Sequence, residues 1–177
     1  CEPRECDVIA RRLLGPGRAS SVFPAPVRAA LGANSWEEAC RQSEKACGKS
    51  MSRQSFAILD RIQDVDDEMR RDPSLQSKVR EIHPEVCFYF LNGEAAVAAS
   101  KKSLDGAAAR RVLIEAKFGM EFDTVRRTIR RWQAADDDIM DAFAALWTAA
   151  RVFDGEAVTI PADPPRDACG LRMEMLA

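Results

Sequence analysis

Glycine and proline interrupt this chain so often that most of it can form only short helices and loops. Gly15-Pro16-Gly17 ends the first run of helically spaced apolar residues, and two prolines within 22–26 force an extended segment. Asp72-Pro73, Asn92-Gly93 and Asp154-Gly155 end three further runs. The sequence therefore predicts a succession of helices separated by tight breaks.

Between these breaks, apolar residues recur mostly at intervals of three and four, which indicates amphipathic helices. Ser35 and Glu38 also have the spacing of a capping box, which marks a helix start. We predict helices over 3–14, 35–47, 54–71, 85–91, 103–118, 122–132 and 136–153. We predict short strands near 79–82, 158–160 and 171–175, of which only the first is central.

A chain of 177 residues with 46% hydrophobic residues is typical of a soluble globular protein, and we expect a single domain over 1–177. No apolar run approaches the roughly 20 residues of a membrane-spanning helix. We therefore expect a cytoplasmic protein with no membrane partner. The net charge of −2 gives no global attraction to nucleic acid, so binding of nucleic acid would need a local patch.

Two acids flank the end of the predicted central strand, at Glu81 and Glu85. Strand ends in α/β folds are where ligands and metals collect, because loops and helix N-termini meet there. In the alternative reading, Glu81 is a solvent-facing strand residue and Glu85 only complements the start of the helix after Pro84. His83, between them, is either part of a site or a packing residue.

The last predicted helix opens with three consecutive acids and carries Asp141 one turn later. Asp141 shares a helix face with small residues, which let a helix approach a sheet closely. Asp138 can share that face, and two carboxylates can bind a hard divalent cation. The alternative is a solvated acidic cap that favours the helix dipole.

Basic residues form the third candidate, because arginines at intervals of four make one helical face that can meet phosphates. The alternative is a solvated charged face. The residues are Arg126, Arg127, Arg130 and Arg131, with Lys101, Lys102, Arg110 and Arg111 elsewhere.

Several segments, in order along the chain, together carry a resemblance to a known family. They are Arg4–Asp7, Ser21–Arg28, Glu81–Phe88, Leu91–Gly93, Ser100–Ser103, Asp138–Ala149 and Asp167–Leu171. The chain resembles the domain of unknown function 429 family, whose members are predicted RNase H-like nucleases.

The resemblance implies an α/β fold of RNase H-like type, similar to Holliday-junction resolvases. The family's opening strands, with an aspartate on the first, do not occur before Cys1. We therefore expect a helix-rich, N-terminally truncated form. Glu81 matches the central-strand acid, with Glu85 as its neighbour, and Asp141 matches the last-helix acid.

These matches imply Glu81 and Asp141 as catalytic residues, with Glu85 and Asp138 as further ligands of Mg²⁺ or Mn²⁺. The leading hypothesis is a metal-dependent nuclease acting on DNA or RNA. The first alternative is a non-catalytic binding module with the same fold. The second is a binder of small phosphates or nucleotides that uses the helix N-terminus at Pro84. A second copy of the chain is a further candidate partner.

Overall fold

The computed structural model describes residues 2–177, and most of them are helical. In this part of the chain the helices are α1 (Glu5–Arg18), α2 (Trp36–Cys47), α3 (Arg53–Phe56), α4 (Leu59–Arg71), α5 (Pro84–Leu91), α6 (Leu104–Phe118), α7 (Glu121–Thr128) and α8 (Asp136–Asp154). Short 3-10 turns cover Ala19–Ser21, Arg28–Ala30 and Pro73–Ser77, and the strands are β1 (Thr159–Ile160) and β2 (Met175–Leu176).

Two predicted helix boundaries are confirmed by their local geometry. At Gly15 the backbone of α1 leaves the helical region with φ 69° and ψ 173°, a conformation that favours glycine. One further turn, which begins at Pro16, then carries the chain to Arg18. Ser35 caps α2 by accepting a hydrogen bond from the backbone nitrogen of Glu38 at 3.1 Å.

The predicted helix over 122–132 is wrong in its last four residues, because α7 ends at Thr128. Ile129 is extended, with φ −102° and ψ 124°. The guanidinium of Arg126 donates to the carbonyls of Ile129 and Ala134, which stabilises the turn after the helix. Trp132 is consequently 77% exposed instead of lying on a buried helix face.

The predicted helix over 54–71 is also divided, into α3 and α4, at residues 57–58. The helices predicted over 85–91, 103–118 and 136–153 are confirmed to within one residue at each end.

The predicted central strand is reduced to a single bridge in which Ile82 pairs in parallel with Leu176. β1 and β2 pair antiparallel, with Ile160 opposite Met175. These are the strands of the described residues, so the fold is helix-rich as expected. Its RNase H-like type stays a prediction.

The larger core lies where α1, α5, α6, α7 and α8 meet the small sheet. Val86, Cys87 and Phe88 of α5 are fully buried in it, beside Met140 and Ala144 of α8. A smaller core includes Ala39, Cys40 and Leu59. No helix in the part of the chain that the structure describes is long and apolar enough to cross a membrane.

Candidate functional site

Glu85 enters the larger core from the first turn of α5. Pro84 occupies the first position of this helix, where its fixed φ and missing N–H are tolerated. The Glu85 side chain is almost entirely buried, with a relative exposure of 5% for the residue. Its Oε2 atom accepts from Nη2 of Arg110 at 2.6 Å and lies 3.1 Å from Nη2 of Arg18. The buried Oε1 atom has no hydrogen-bond partner.

Arg110 fixes the position of this carboxylate from α6. The residue is completely buried, and its Nη1 atom donates to the backbone carbonyls of Ala99 at 3.1 Å and Gly106 at 2.9 Å. A buried guanidinium needs both charge compensation and several acceptors. Glu85 supplies the charge and the two carbonyls supply acceptors for Nη1, whereas the buried Nε atom has no hydrogen-bond partner.

Asp141 faces the same region from α8. Its Oδ2 atom accepts from Nζ of Lys101 at 2.7 Å, and its buried Oδ1 atom has no partner. Asp137, one turn earlier, lies 3.9 Å from the same ammonium group. Burial raises the pKa of Asp141, and the negative charge of Glu85 raises it further, whereas Lys101 lowers it.

His83, the N-cap residue of α5, completes the group. Its Nε2 atom lies 3.2 Å from the carbonyl oxygen of Ser21, which can only accept, so Nε2 carries the proton. Nδ1 is buried without a partner. Burial lowers the pKa of His83, although the carboxylates of Glu85 and Asp141 oppose this shift. The imidazole is therefore neutral at pH 7, with a free lone pair on Nδ1.

We call Glu85 Oε1, Asp141 Oδ1 and His83 Nδ1 the acceptor cluster. Buried acceptors that lack a donor cost free energy, so a cation or another donor that reached any of these atoms would be stabilised there. The acids of this region, Glu85, Asp137 and Asp141, already lie beside three cations. These cations are Arg18, Arg110 and Lys101. Among residues 2–177 no group of three or more His, Cys, Asp or Glu side chains has the arrangement of a ready metal site.

Glu81 has different partners from the acceptor cluster. Its carboxylate is exposed and accepts from both terminal nitrogens of Arg4 at 2.8 Å. The same guanidinium also binds the buried Asp7. The negative charge of Glu85 therefore acts on the pKa of Asp141, whereas Glu81 has a separate ion pair with Arg4.

Asp138 is exposed and caps α8, because its Oδ2 atom accepts from the backbone nitrogen of Ala135 at 2.9 Å. This is the geometry of the acidic cap that we considered as the alternative for this residue. Asp138 therefore lies at the helix end, one turn before Asp141, and its carboxylate is already used there.

The four predicted arginines do not share one helix face. Arg126 and Arg127 belong to α7, whereas Arg130 and Arg131 lie in the turn that follows. Arg126 is mostly buried and binds backbone carbonyls and Asp136. The other three are exposed, and the side chain of Arg131 is 81% accessible.

Of the predicted lysines, Lys101 binds Asp141, and Lys102 is exposed.

Sequence reasoning missed the roles of Arg18 and Arg110. Arg110 precedes Ile114 by four residues, so both lie on one face of α6. An arginine in line with a buried isoleucine is a usable signal for a buried ion pair. Arg18 gives no comparable signal, because it follows the break at Gly15-Pro16-Gly17.

A family model described as "Protein of unknown function (DUF429)" matches residues 2–166. No curated protein and no solved structure matches the chain.

Proposed function

The chain belongs to the DUF429 family, and from that premise we propose that it is a divalent-metal-dependent nuclease. The observation that carries this proposal is a buried carboxylate oxygen without a hydrogen-bond partner on each of two helices that pack together, Glu85 Oε1 on α5 and Asp141 Oδ1 on α8.

The donor set of the acceptor cluster fits Mg²⁺ or Mn²⁺. Both ions prefer carboxylate oxygens, and Glu85 Oε1 and Asp141 Oδ1 are the unused ones. A bound ion of this kind supplies an activated water and stabilises charge on the leaving oxygen. The proposal assigns the strand-end ligand to Glu85 instead of Glu81, because Arg4 already binds both oxygens of Glu81.

The protein's own residues have distinct roles in this proposal. Arg110 and Arg18 form ion pairs with Glu85 and hold its carboxylate in place. Lys101, whose side chain is 30% exposed, is the cation that would leave Asp141, and its ammonium would then be free to contact a phosphate oxygen. His83 keeps a neutral Nδ1 that can accept a proton.

One observation favours the non-catalytic module as a second candidate. Three cationic side chains already match the charges of Glu85, Asp137 and Asp141. A site that is neutral without a metal ion attracts a divalent cation less than an acidic site does. The experiment therefore needs a readout of metal binding as well as of cleavage.

The test incubates the purified protein with Mg²⁺ or Mn²⁺ and labelled single-stranded DNA, duplex DNA, a four-way junction and RNA. Asp141→Asn and Glu85→Gln should abolish metal-stimulated cleavage and weaken Mn²⁺ binding in calorimetry. Asp138→Asn is the matched control, since it removes an exposed carboxylate from the same helix. Asp141→Asn should keep or raise the melting temperature at pH 7, because burial already disfavours the ionised form.

Two outcomes separate the candidates. Cleavage that both variants retain would refute the proposed site. Loss of Mn²⁺ binding in Asp141→Asn, with no cleavage of any substrate by the wild type, would favour the non-catalytic module.

Nucleic-acid binding is tested at the exposed arginines of the α7 end. Replacing Arg127 and Arg131 by Ala should weaken binding to all sequences and flatten its salt dependence by about one to two units of slope, because each phosphate contact releases about one counterion. Fluorescence anisotropy against a duplex and a four-way junction measures both quantities. An unchanged affinity and salt slope would identify these arginines as a solvated face.

A further inference from the structure

A cavity of about 300 Å³ lies beside the loop that joins β1 to β2, and it shares no residue with the acceptor cluster. Most of its polar lining comes from charged side chains. The lining includes Arg80, Arg166, Arg172, Asp163, Glu174 and Thr159.

Backbone pairing places two of these arginines directly opposite each other. Arg166 and Arg172 form an isolated antiparallel bridge. The flanking hydrogen bonds, from Asp167 N to Leu171 O and from Met173 N to Pro165 O, are both 2.8 Å long. This pattern makes 166–172 a non-hydrogen-bonded pair, in which facing side chains are closest.

Like charges at such a position destabilise a β-pair. Arg166 donates to the side-chain oxygen of Gln76 and the carbonyl of Gly170, which are neutral acceptors. Arg172 is exposed. In residues 2–177, neither arginine has a carboxylate within ion-pair distance, so their charges remain available to a ligand.

The third arginine is arranged differently. Arg80 donates from Nε and Nη2 to the two carboxylate oxygens of Glu174, at 2.5 and 2.9 Å. Glu174 is only 3% exposed, so this fork fixes Arg80 at the cavity wall. Because Glu174 is already paired, Asp163 is the remaining acid that opposes the charges of Arg166 and Arg172.

We propose that this cavity binds the phosphate group of a small ligand, in addition to the proposed nuclease function and independently of it. Guanidinium groups bind phosphate oxygens in a planar, two-pronged geometry, which suits arginines that face one another. The cavity volume is at the lower end of small-molecule sites, about 300–1,000 Å³, so it admits free phosphate or a phosphomonoester.

The experiment measures binding of inorganic phosphate and of AMP by calorimetry and by thermal unfolding. Arg172→Gln and Arg166→Gln should each weaken phosphate binding about tenfold, as expected for the loss of one charged hydrogen bond. Arg41→Gln, on the exposed face of α2, removes the same charge and should bind like the wild type. Sodium acetate and sodium chloride at matched ionic strength serve as anion controls.

The melting temperature without ligand distinguishes a structural role of Arg172 from a role in ligand binding. Arg172→Gln should keep or raise it, because the substitution removes a like-charge pair. Tighter binding of AMP than of phosphate would identify a phosphomonoester, and equal binding would identify the phosphate group alone as the ligand. Wild-type phosphate affinity in both variants, or equal stabilisation by acetate and chloride, would overturn the proposal.

Discussion

Replacement of Arg110 by Met should be one of the most destabilising single changes in this protein. The guanidinium is completely buried and makes three hydrogen bonds, one to Glu85 and two to the carbonyls of Ala99 and Gly106. Methionine fills a similar volume without any donor. The substitution therefore leaves a buried carboxylate that has only Arg18 as a charged partner.

The magnitude follows from the cost of breaking a buried ion pair from one side, which is about 3–5 kcal/mol. A domain of this size has a free energy of unfolding of about 5–15 kcal/mol. Each kcal/mol changes the melting temperature by about 2–4 °C at this length. Arg110→Met should thus lower the melting temperature by about 6–20 °C.

Urea unfolding followed by circular dichroism measures the free energy of the variants. Glu85→Gln should cost a similar amount, about 3–5 kcal/mol, because it leaves the buried guanidinium of Arg110 without a charged partner, although its two carbonyl acceptors remain. In the double variant the two costs should not add, and the coupling should be about 0.5–3 kcal/mol. Arg111→Met is the matched control, because its ion pairs with Glu115 and Asp123 are partly exposed and contribute about 1 kcal/mol or less.

The reasoning would be refuted if Arg110→Met were no more destabilising than Arg111→Met. Such a result would mean that water reaches the guanidinium and solvates Glu85 when its partner is removed. The coupling between Arg110 and Glu85 would then be close to zero.

Two further predictions concern the same region. His83 is the chain's one histidine, so its ring protons in NMR should titrate with a midpoint below the ordinary 6.5, because burial lowers its pKa. Between pH 6.5 and the lower pKa of the folded state, the unfolded chain binds the proton more readily than the folded chain does. The free energy of unfolding should therefore fall as the pH drops through this range, and His83→Gln should remove this pH dependence. Gly106→Ala should lower the melting temperature strongly, because a Cβ atom would lie 1.9 Å from the carbonyl oxygen of Ser100. Gly17→Ala, which meets no atom within 4 Å, should change it little, and similar losses in both variants would contradict the packing argument.

Helix boundaries in this chain could be predicted because local chemistry determines them. Gly15 interrupts α1 through its own backbone, and Ser35 caps α2 through its own hydroxyl. The end of α7 could not be predicted in this way. It depends on Arg126, which binds the carbonyls of Ile129 and Ala134 in the turn beyond the helix. Helical spacing of apolar residues continues through that turn, so the periodicity alone extends the helix too far.

The extent of the strand predicted at 79–82 could not be derived from the sequence either, because strand pairing is non-local. Ile82 makes a single bridge to Leu176, near the other end of the chain. Whether an apolar residue before His83-Pro84 joins a sheet depends on that distant segment. Val79 and Ile82, with charged residues between them, favour a short extended segment and do not indicate its partner.

The acids of the candidate site could be predicted from the sequence, whereas its cations could not. Glu85 follows a helix-starting proline and Asp141 lies on a helix face with small residues, and both features can be read locally. The choice between Glu81 and Glu85 could not be made, because it depends on Arg4 binding the first and Arg110 the second. Those ion pairs are formed by residues far apart in the sequence.

The role of each arginine in this protein depends more on whether it has a carboxylate partner than on its position in the sequence. Arg110 is buried on Glu85, so its charge is compensated, and its removal should affect stability first. Arg166 and Arg172 are opposite each other in a β-bridge and neither has a carboxylate partner, and we expect this like-charge pair to cost stability in the free protein. A bound anion would offset that cost. Replacement of either arginine should therefore reduce ligand affinity and leave the fold as stable as before. Arg111, the neighbour of Arg110 in sequence, is also paired with carboxylates, but its ion pairs are partly exposed, so its removal should affect stability much less.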